Sequence, residues 1–292
     1  MSMNMKSHVR KRSPLRVLFI IFIIALIMAG LLFAGLYIYG IRYLRYPVDS
    51  TSDGNTVYIK FIGLVDDEGN PYRGKIIYTN GLTADVNLET GKITYSNGDV
   101  YEGSLKRLEK DGKGKLTYAN GDVYEGDFVS GELTGVGKYT YSNGDVYEGG
   151  FKNGKKDGYG VYKWADGSVY EGYFTLDKKN GYGKYVWADG SSYEGDFVND
   201  IKEGRGKYTY SNGDVYEGEF SADVRSGNGT YTWANGEVYT GEFANNLPNG
   251  KGTYTWPSGR VYTGYFENGV IVRVSEENEE NEENEENIEN GE

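Results

Sequence analysis

The chain contains no cysteine, one histidine and only five prolines among its 292 residues. Without cysteine it has no disulfide framework, no thiolate nucleophile and no thiolate metal site. The one histidine, His8, lies in a basic leader, so a Ser-His-Asp triad cannot form in the rest of the chain. These shortages predict a protein that is not an enzyme and that holds neither a metal ion nor a cofactor.

Paired carboxylates would be the remaining route to catalysis, as in glycoside hydrolysis. Glutamates such as Glu148 and Glu194 do recur along the chain. Their predicted partners are lysines, and equivalent positions in adjacent copies of a two-stranded unit would lie about 9–10 Å apart. The pattern therefore favours a structural role for these glutamates.

Tyrosine recurs every 23 residues without a slip, and this register is the strongest pattern in the chain. The eight positions are Tyr101, Tyr124, Tyr147, Tyr170, Tyr193, Tyr216, Tyr239 and Tyr262. A fixed period of this length indicates an array in which one small unit stacks on copies of itself. Such an array offers a long surface rather than a single active-site cavity.

Each copy reads as a β-hairpin followed by a loop. Six copies begin "YEG" and two begin "YTG"; an aromatic residue, a "GxG" and a glycine turn such as "SNG" follow. Pro257 in "PSG" favours a three-residue turn with a left-handed glycine over a two-residue type I′ turn. That register places Lys138 opposite Glu148 and Thr230 opposite Thr240, which are favourable cross-strand pairs.

The segment "YEGDFVSGELTGVGKYTYSNGDVYEG" at residues 124–149 resembles the MORN repeat (membrane occupation and recognition nexus). That repeat has a "YxG" start, an aromatic residue, and a "GxG" before a further aromatic residue. The resemblance covers residues 92–269. It implies an all-β repeat fold, an elongated single-layer antiparallel sheet of hairpins. It implies no catalytic activity, and family members commonly serve as scaffolds and often dimerise, so a homodimer is a candidate assembly.

Side chains alternate along a strand, so each hairpin has an aromatic face and a polar face. Glycines on the aromatic face would give large rings room to lie against the backbone. Two interpretations stay open: the rings pack only on each other, or they form a groove for a partner. The candidate binding residues are Tyr147, Trp164, Tyr170, Trp187, Tyr193, Tyr216, Trp233, Tyr239, Trp256 and Tyr262.

Residues 17–41 form an uncharged, mostly apolar run, longer than the roughly 20 residues that cross about 30 Å of hydrocarbon. Five basic residues precede this run and two follow it closely, and excess positive charge stays cytoplasmic. We therefore expect a retained signal-anchor in the cell (plasma) membrane, with a cytoplasmic N-terminus and extracytoplasmic repeats. The alternative is a cleaved signal peptide, whose apolar region would be about 7–15 residues.

The sequence predicts six segments. They are a basic leader (1–16), a transmembrane helix (17–41), a linker (42–55), degenerate N-terminal cap repeats (56–100), the MORN array (101–274) and an acidic tail (275–292). The tail holds ten glutamates and no basic residue, a composition typical of disorder. The net charge of −12 makes the chain a poor match for nucleic acid.

Together these features predict a membrane-anchored, non-catalytic scaffold for protein–protein interaction, with an unidentified protein partner. The lipid bilayer is the second expected partner, through Val17 to Ile41, and nucleic acid is not expected. The alternative function is an extracytoplasmic module that binds a cell-envelope glycan with its aromatic face.

Overall fold

The structure, a computed structural model, describes residues 14–50 and 56–272. The chain divides into two compact units, with the boundary after Glu109. Several sequence predictions lie outside the described residues. They are those for His8 and most of the basic leader, for residues 51–55 of the linker, and for the acidic tail from Ser275.

The first unit begins with helix α1, Pro14–Ile38, whose mean hydropathy is 3.2. Among the described residues it is the one helix long and apolar enough to cross a membrane. It starts and ends earlier than the predicted 17–41. Proline is tolerated in the first helical turn, where the N–H that it lacks would have no partner. The helix ends early because Gly40 takes a left-handed φ of 75° and donates its N–H to Tyr37 O at 3.1 Å.

The linker predicted over residues 42–55 is wrong for residues 42–50, which belong to strand β1 (Ile41–Ser50). β1 pairs antiparallel with β2 (Thr56–Val65). Its alternating sequence explains the strand, because Leu44 lies opposite the buried Phe61 and Tyr46 lies opposite the buried Ile59. The first unit continues with β3 Pro71–Ile77, β4 Thr83–Asn87, β5 Lys92–Tyr95 and β6 Val100–Lys106, each antiparallel to the strand before it.

The second unit is an open antiparallel sheet in which each strand pairs with the next along the chain, and this confirms the predicted all-β repeat fold. Its strands are β7 Glu109–Thr117, β8 Val123–Val129, β9 Glu132–Thr140, β10 Val146–Lys152, β11 Lys155–Lys163, β12 Val169–Thr175, β13 Lys178–Val186, β14 Ser192–Val198, β15 Ile201–Thr209, β16 Val215–Ser221, β17 Val224–Thr232, β18 Val238–Ala244, β19 Leu247–Thr255, β20 Val261–Glu267 and β21 Val270–Val272.

The predicted three-residue turns are confirmed. Between β9 and β10, the N–H of Tyr141 donates to Asp145 O at 2.9 Å, and the N–H of Gly144 donates to Tyr141 O at 3.0 Å. Gly144 has a φ of 96°, a conformation that a Cβ would disfavour. The register gives the predicted cross-strand pairs Lys138–Glu148 and Thr230–Thr240. The same register in other repeats gives Lys115–Glu125, Lys184–Glu194, Lys207–Glu217 and Thr253–Thr263.

The loop predicted between hairpins is instead a two-residue turn, because the strands run on through the "GxG" with a shift of register. Leu176 and Asp177, for example, have φ values of 50° and 73°, the left-handed pair that defines a type I′ turn. Leucine rarely adopts this conformation, so the sequence carries no turn signal there. Pairing of Thr175 with Lys178 imposes it, since such strain persists only where the surrounding structure fixes it.

The repeat tyrosine is buried against the bare backbone of two strands. Tyr147 is 0% exposed, and its hydroxyl donates to Gly150 O at 2.9 Å. A Cβ built at Gly160 would stand 2.5 Å from the Tyr147 hydroxyl oxygen and 2.6 Å from its ring. The glycine of the "GxG" is therefore required because the ring occupies the place of its side chain.

Phenylalanines join each tyrosine to the next. Phe151 and Phe174 both pack edge-on against Tyr147, with ring centroids 5.2 Å away. Phe174 packs in the same way on Tyr170 of its own repeat, at 5.1 Å. Edge-to-face pairs are worth about 0.5–1.5 kcal/mol beyond their buried area. The core of the second unit is thus a continuous row of tyrosines and phenylalanines shared between repeats.

We expect Gly160→Ala to lower the free energy of unfolding by about 1–3 kcal/mol, the usual cost of overpacking a filled core. The measurement is urea denaturation followed by tyrosine and tryptophan fluorescence. Lys163→Ala is the matched control on the exposed side of the same strand and should change stability by less than about 0.5 kcal/mol. Equal stability of the two variants would show that the ring does not need the glycine.

Candidate interaction surface

Five of the ten candidate binding residues are core residues and present no surface to a ligand. They are Tyr147, Tyr170, Tyr193, Tyr216 and Tyr239, each 0% exposed. The prediction that these five tyrosines form part of a binding face is wrong, because phenylalanines from two repeats cover each ring. Tyr262 is partly exposed; its hydroxyl donates to Val272 O at 3.2 Å.

The four tryptophans of the candidate face belong to a different set of rings, which we call the aromatic ladder. Its members are half-buried, and successive ring centroids lie 4.4–5.9 Å apart. In order they are Tyr118, Tyr139, Tyr141, Tyr162, Trp164, Tyr185, Trp187, Tyr208, Tyr210, Tyr231, Trp233, Tyr254 and Trp256. Every residue of the ladder is partly exposed, so the ladder, unlike the buried repeat tyrosines, can contact a partner.

A row of cations lies among the rings of the ladder, which the sequence analysis missed. Its members are Lys156, Lys179, Lys202 and Arg225, one per repeat. The Lys156 ammonium is 4.7 Å from the Tyr162 ring centroid, and the Arg225 guanidinium is 5.0 Å from that of Tyr231. These distances are within the range of cation–π attraction. Their 23-residue period was the signal that could have revealed them.

The cations are held between rings and carboxylates. Lys202 Nζ lies 3.1 Å from Asp223 Oδ1, and Lys179 Nζ lies 3.9 Å from Asp200 Oδ1. Burial lowers the pKa of Lys179, while the neighbouring Asp200 acts in the opposite direction. The row therefore places partly desolvated positive charge beside exposed ring surface, an arrangement suited to a partner with both apolar and acidic groups.

The tyrosine hydroxyls of this face stay protonated. Burial raises the pKa of Tyr216 to about 12 and raises that of Tyr147 further. Each hydroxyl therefore remains a hydrogen-bond donor at neutral pH, as its bond to a backbone carbonyl requires. None of these phenols is poised to act as a base near neutrality.

Buried aspartates connect the three-residue turns of adjacent repeats. Asp145 Oδ1 accepts the N–H of Ala165 at 2.9 Å, and its Oδ2 accepts the hydroxyl of Tyr162 at 2.8 Å. Two other aspartates make the equivalent contacts. Asp122 accepts the hydroxyl of Tyr139 and the N–H of Ser142, and Asp214 accepts the hydroxyl of Tyr231 and the N–H of Ala234. The backbone N–H of Ala165 is the main cause that holds the pKa of Asp145 below its ordinary value. The carboxylates thus fix the angle between hairpins while charged.

The polar face carries an exposed aromatic patch that the sequence analysis also missed. Tyr159 and Tyr173 are both 51% exposed and pack edge-on at 5.5 Å. Tyr182 is 54% exposed and donates its hydroxyl to Glu194 Oε1 at 2.8 Å. The hydrogen bond to Glu194 is the main cause that raises the pKa of Tyr182. Most other repeats have charged residues at these two positions, which is the signal that distinguishes this patch.

No metal centre is formed by the residues that the structure describes, since no three His, Cys, Asp or Glu side chains converge there. Glu148 and Glu194 lie on the polar face opposite Lys138 and Lys184. Their positions match the predicted pairing with lysine.

We expect Asp145→Asn to destabilise the fold at neutral pH by about 1 kcal/mol, because a neutral amide accepts weaker hydrogen bonds than a carboxylate. The sign with pH follows from the lowered pKa. The Asp145 carboxylate makes its full contribution to stability above pH ~4, the pKa of this group in the unfolded chain. That contribution is lost as pH falls through the lower pKa of the folded state.

The difference in Tm between the native chain and Asp145→Asn should therefore be largest at pH 6–7 and should shrink towards pH ~2.5. Glu148→Gln, an exposed carboxylate on the polar face, is the control and should show no such convergence. A gap that stays constant with pH would rule out a role for the charge.

The MORN repeat family model matches seven successive segments of the chain, at residues 101–123, 124–146, 147–169, 170–192, 193–215, 216–238 and 239–259. The eighth copy, from Tyr262, lies beyond the match. No curated protein matches the chain.

Three solved structures show weak likenesses to this chain. The TCP domain of SAS-4 from Drosophila melanogaster, in complex with a proline-rich motif of Ana2, is 16% identical with a TM-score of 0.34, over 53% of this chain and 86% of that one. The TCP10 domain of Danio rerio CPAP, in complex with a STIL peptide, is 14% identical with a TM-score of 0.23, over 77% and 100%. Virginiamycin B lyase from Staphylococcus aureus is 10% identical with a TM-score of 0.15, over 77% and 88%. Scores this low carry no argument; the family match covers more than half of the chain, which belongs to the MORN repeat family.

Proposed function

We propose that this chain is a membrane-anchored, non-catalytic scaffold that binds a protein partner on its MORN repeats. The observation that carries the proposal is the aromatic ladder. The buried tyrosines and phenylalanines already supply a core, and the ladder adds a second set of rings that stays half-exposed across successive repeats. Tryptophan and tyrosine are the residues that most often dominate binding energy at protein interfaces.

Helix α1 supports the anchor. Its 25 residues rise about 1.5 Å each, to about 37 Å, which exceeds the roughly 30 Å of a bilayer core. Its apolar side chains are exposed; Leu18, Phe22 and Leu31, for example, are 64%, 61% and 64% exposed. Lipid is the natural environment for a helix that is apolar on all sides.

The anchor would hold the strands of the first unit close to the bilayer, because only Tyr39 and Gly40 separate α1 from β1. Arg42 Nη1 donates to Tyr37 O at 2.8 Å, and the Arg42 guanidinium lies 3.9 Å from the Tyr37 ring centroid. These contacts tie the first strand to the end of the helix. They would place Tyr37, Tyr39 and Arg42 at the level of the headgroups, where aromatic and basic residues favour the interface.

The basic residues before the helix favour a cytoplasmic N-terminus and repeats outside the cell membrane. We expect protease added to intact cells to cleave the C-terminal tail of the full chain, detected through a C-terminal epitope. A cytoplasmic protein with the same epitope is the control for intact membranes. Protection of the tail until lysis would reverse the orientation, and recovery of the chain in the soluble fraction would exclude the anchor.

We expect Trp164→Ala and Trp187→Ala together to lower retention of the partner by the full chain at least 30-fold, since a central tryptophan is worth about 2 kcal/mol or more. The measurement is quantitative co-purification from detergent-solubilised membranes. Trp164→Tyr with Trp187→Tyr is the matched control, because tyrosine stands at this position in other copies, such as Tyr210, and preserves the ladder.

Partner recovery that is identical for the alanine pair, the tyrosine pair and an anchor-only chain would contradict the scaffold proposal. Circular dichroism and Tm of each variant establish that the array stays folded.

A cell-envelope glycan is the second candidate ligand, favoured by the partly open ring surface of Trp164, Trp187, Trp233 and Trp256. Sedimentation of the full chain in detergent with purified cell wall distinguishes the two. Binding that the alanine pair loses and the tyrosine pair keeps supports the glycan. Sedimentation of the full chain with cell wall that does not exceed that of the anchor-only chain would exclude the glycan as a ligand.

A further inference from the structure

Three exposed lysines lie together at one edge of the second unit, which we call the turn edge: the side formed by the two-residue turns after β8, β10, β12, β14, β16, β18 and β20. The lysines are Lys152, Lys155 and Lys178. Lys152 pairs directly opposite Lys155 across the Asn153–Gly154 turn. Like charges in this position destabilise a sheet. Within residues 14–50 and 56–272, none of the three lysines has an ion-pair partner.

The carboxylates along the same edge are already engaged. Asp177 Oδ1 accepts the N–H of Lys156 at 2.8 Å, and Asp200 Oδ1 accepts the N–H of Lys179 at 2.9 Å. Asp223 Oδ1 accepts the backbone N–H of Lys202 at 3.0 Å. The same carboxylate forms an ion pair with the Lys202 ammonium. These aspartates serve the half-buried cations of the ladder. The Glu132 carboxylate lies beside Gly154 but forms no ion pair with Lys152 or Lys155.

The last described strand, β21, runs from the turn edge towards the opposite edge for only three residues. β21 starts directly after the Asn268–Gly269 turn, and the described residues end at Val272. Residues 273–292 follow, with ten glutamates and one basic residue, Arg273. This acidic segment, whose charge is opposite to that of the exposed lysines, therefore begins a few residues from the turn edge.

The tail repeats every three residues, as "EENEENEENEEN", and this period matches the array. Glutamate stands at 277, 280, 283, 286 and 289. Three residues of an extended polyproline II chain rise about 9.3 Å. Equivalent positions in successive repeats are two strands apart, about 9.4–9.8 Å. An extended tail that follows the turn edge would therefore present one glutamate to each repeat.

The tail is also long enough. Lys178 begins β13, eight strands from β21 or about 38 Å, and Lys155 begins β11, ten strands or about 48 Å away. Residues 273–292 span up to about 66–72 Å when extended. On the way, the tail would pass Arg225 and Lys202, and its later glutamates, such as Glu283 and Glu286, would arrive near the exposed lysines.

We propose that the acidic tail of the same chain lies extended along the turn edge, with its later glutamates against Lys178, Lys155 and Lys152. This tail-on-edge arrangement depends neither on the membrane anchor nor on a partner for the ladder. It gives the unpaired lysines a counter-charge and gives the three-residue period of the tail a structural reason.

Carbodiimide coupling of the full chain, which joins a carboxylate directly to a lysine in contact with it, tests the proposal. We expect mass spectrometry to find amide links from Lys155 and Lys178 to glutamates of residues 279–289. Their yield should fall at least fivefold when salt is raised from about 0.1 M to 1 M, because the Debye length drops from about 10 Å to about 3 Å. A mixture of light and ¹⁵N-labelled chains shows whether the links form within one chain.

The matched control breaks the period and keeps the composition: Asn278→Glu with Glu279→Asn, and Glu283→Asn with Asn284→Glu. This chain should give several-fold fewer links to Lys155 and Lys178. Separately, Lys155→Glu with Lys178→Glu should speed protease cleavage within the tail.

Absence of tail-to-edge links, equal yields from the period-broken tail, or links found only between two chains would each overturn the proposal. The tail substitutions lie outside the sheet, so loss of folding cannot mimic these results.

Discussion

The contact of a tyrosine ring with bare glycine backbone is the constraint on which the second unit depends. A sheet without a second layer has nothing to cover its apolar face, and each repeat answers this by laying its tyrosine over the glycine of the following strand. Tyr147 over Gly160 shows the geometry: the ring takes the volume that a Cβ would need. Because the ring reaches across two strands, the glycine and the tyrosine cannot vary separately. Everything else, from the shared phenylalanines to the half-exposed ladder, is arranged around that buried ring.

The two edges of the sheet use different turns for the same purpose. On one edge a left-handed glycine closes a three-residue turn, and an aspartate such as Asp145 reaches the next turn along. On the other edge a two-residue turn closes the strand pair, and Asp177 accepts a bond from the backbone of the turn before it. In both cases a carboxylate bridges adjacent hairpins, so charge at the edges and rings in the middle together fix the stacking of repeats.

Much of the fold could be predicted from the sequence because it depends on local, repeated signals. The 23-residue tyrosine period, the position of Pro257 and the lysine–glutamate pairs gave the hairpins and their register. The two-residue turn at Leu176–Asp177 could not be predicted, because leucine takes a left-handed conformation there only when pairing on both sides imposes it. The Asn153–Gly154 and Asn268–Gly269 turns did carry a hairpin signal, which the interpretation of these segments as loops missed. β1 was missed because its short alternating pattern follows directly on a long apolar helix.

The candidate surface was predicted less well, for a physical reason. Periodicity identifies which residues share a face, but not which of them lie beneath the others. Tyr170 and Trp187 belong to the same face, and only the positions of the phenylalanines show that the first is covered and the second is open. The cation row was equally periodic, yet a lysine beside a turn looks like any solvated charge until its neighbours are known.

The shared phenylalanines limit how such an array can change in length. Phe174 belongs to the cover of Tyr147 as much as to that of Tyr170, so removal of a whole repeat brings an equivalent phenylalanine to the same tyrosine. A gain or loss of part of a repeat would leave a ring without its second cover, and an odd number of residues would also turn the following side chains to the opposite face. Genetic change can therefore lengthen or shorten this array only by whole repeats. An array of the new length would keep the same core contacts between its tyrosines and phenylalanines.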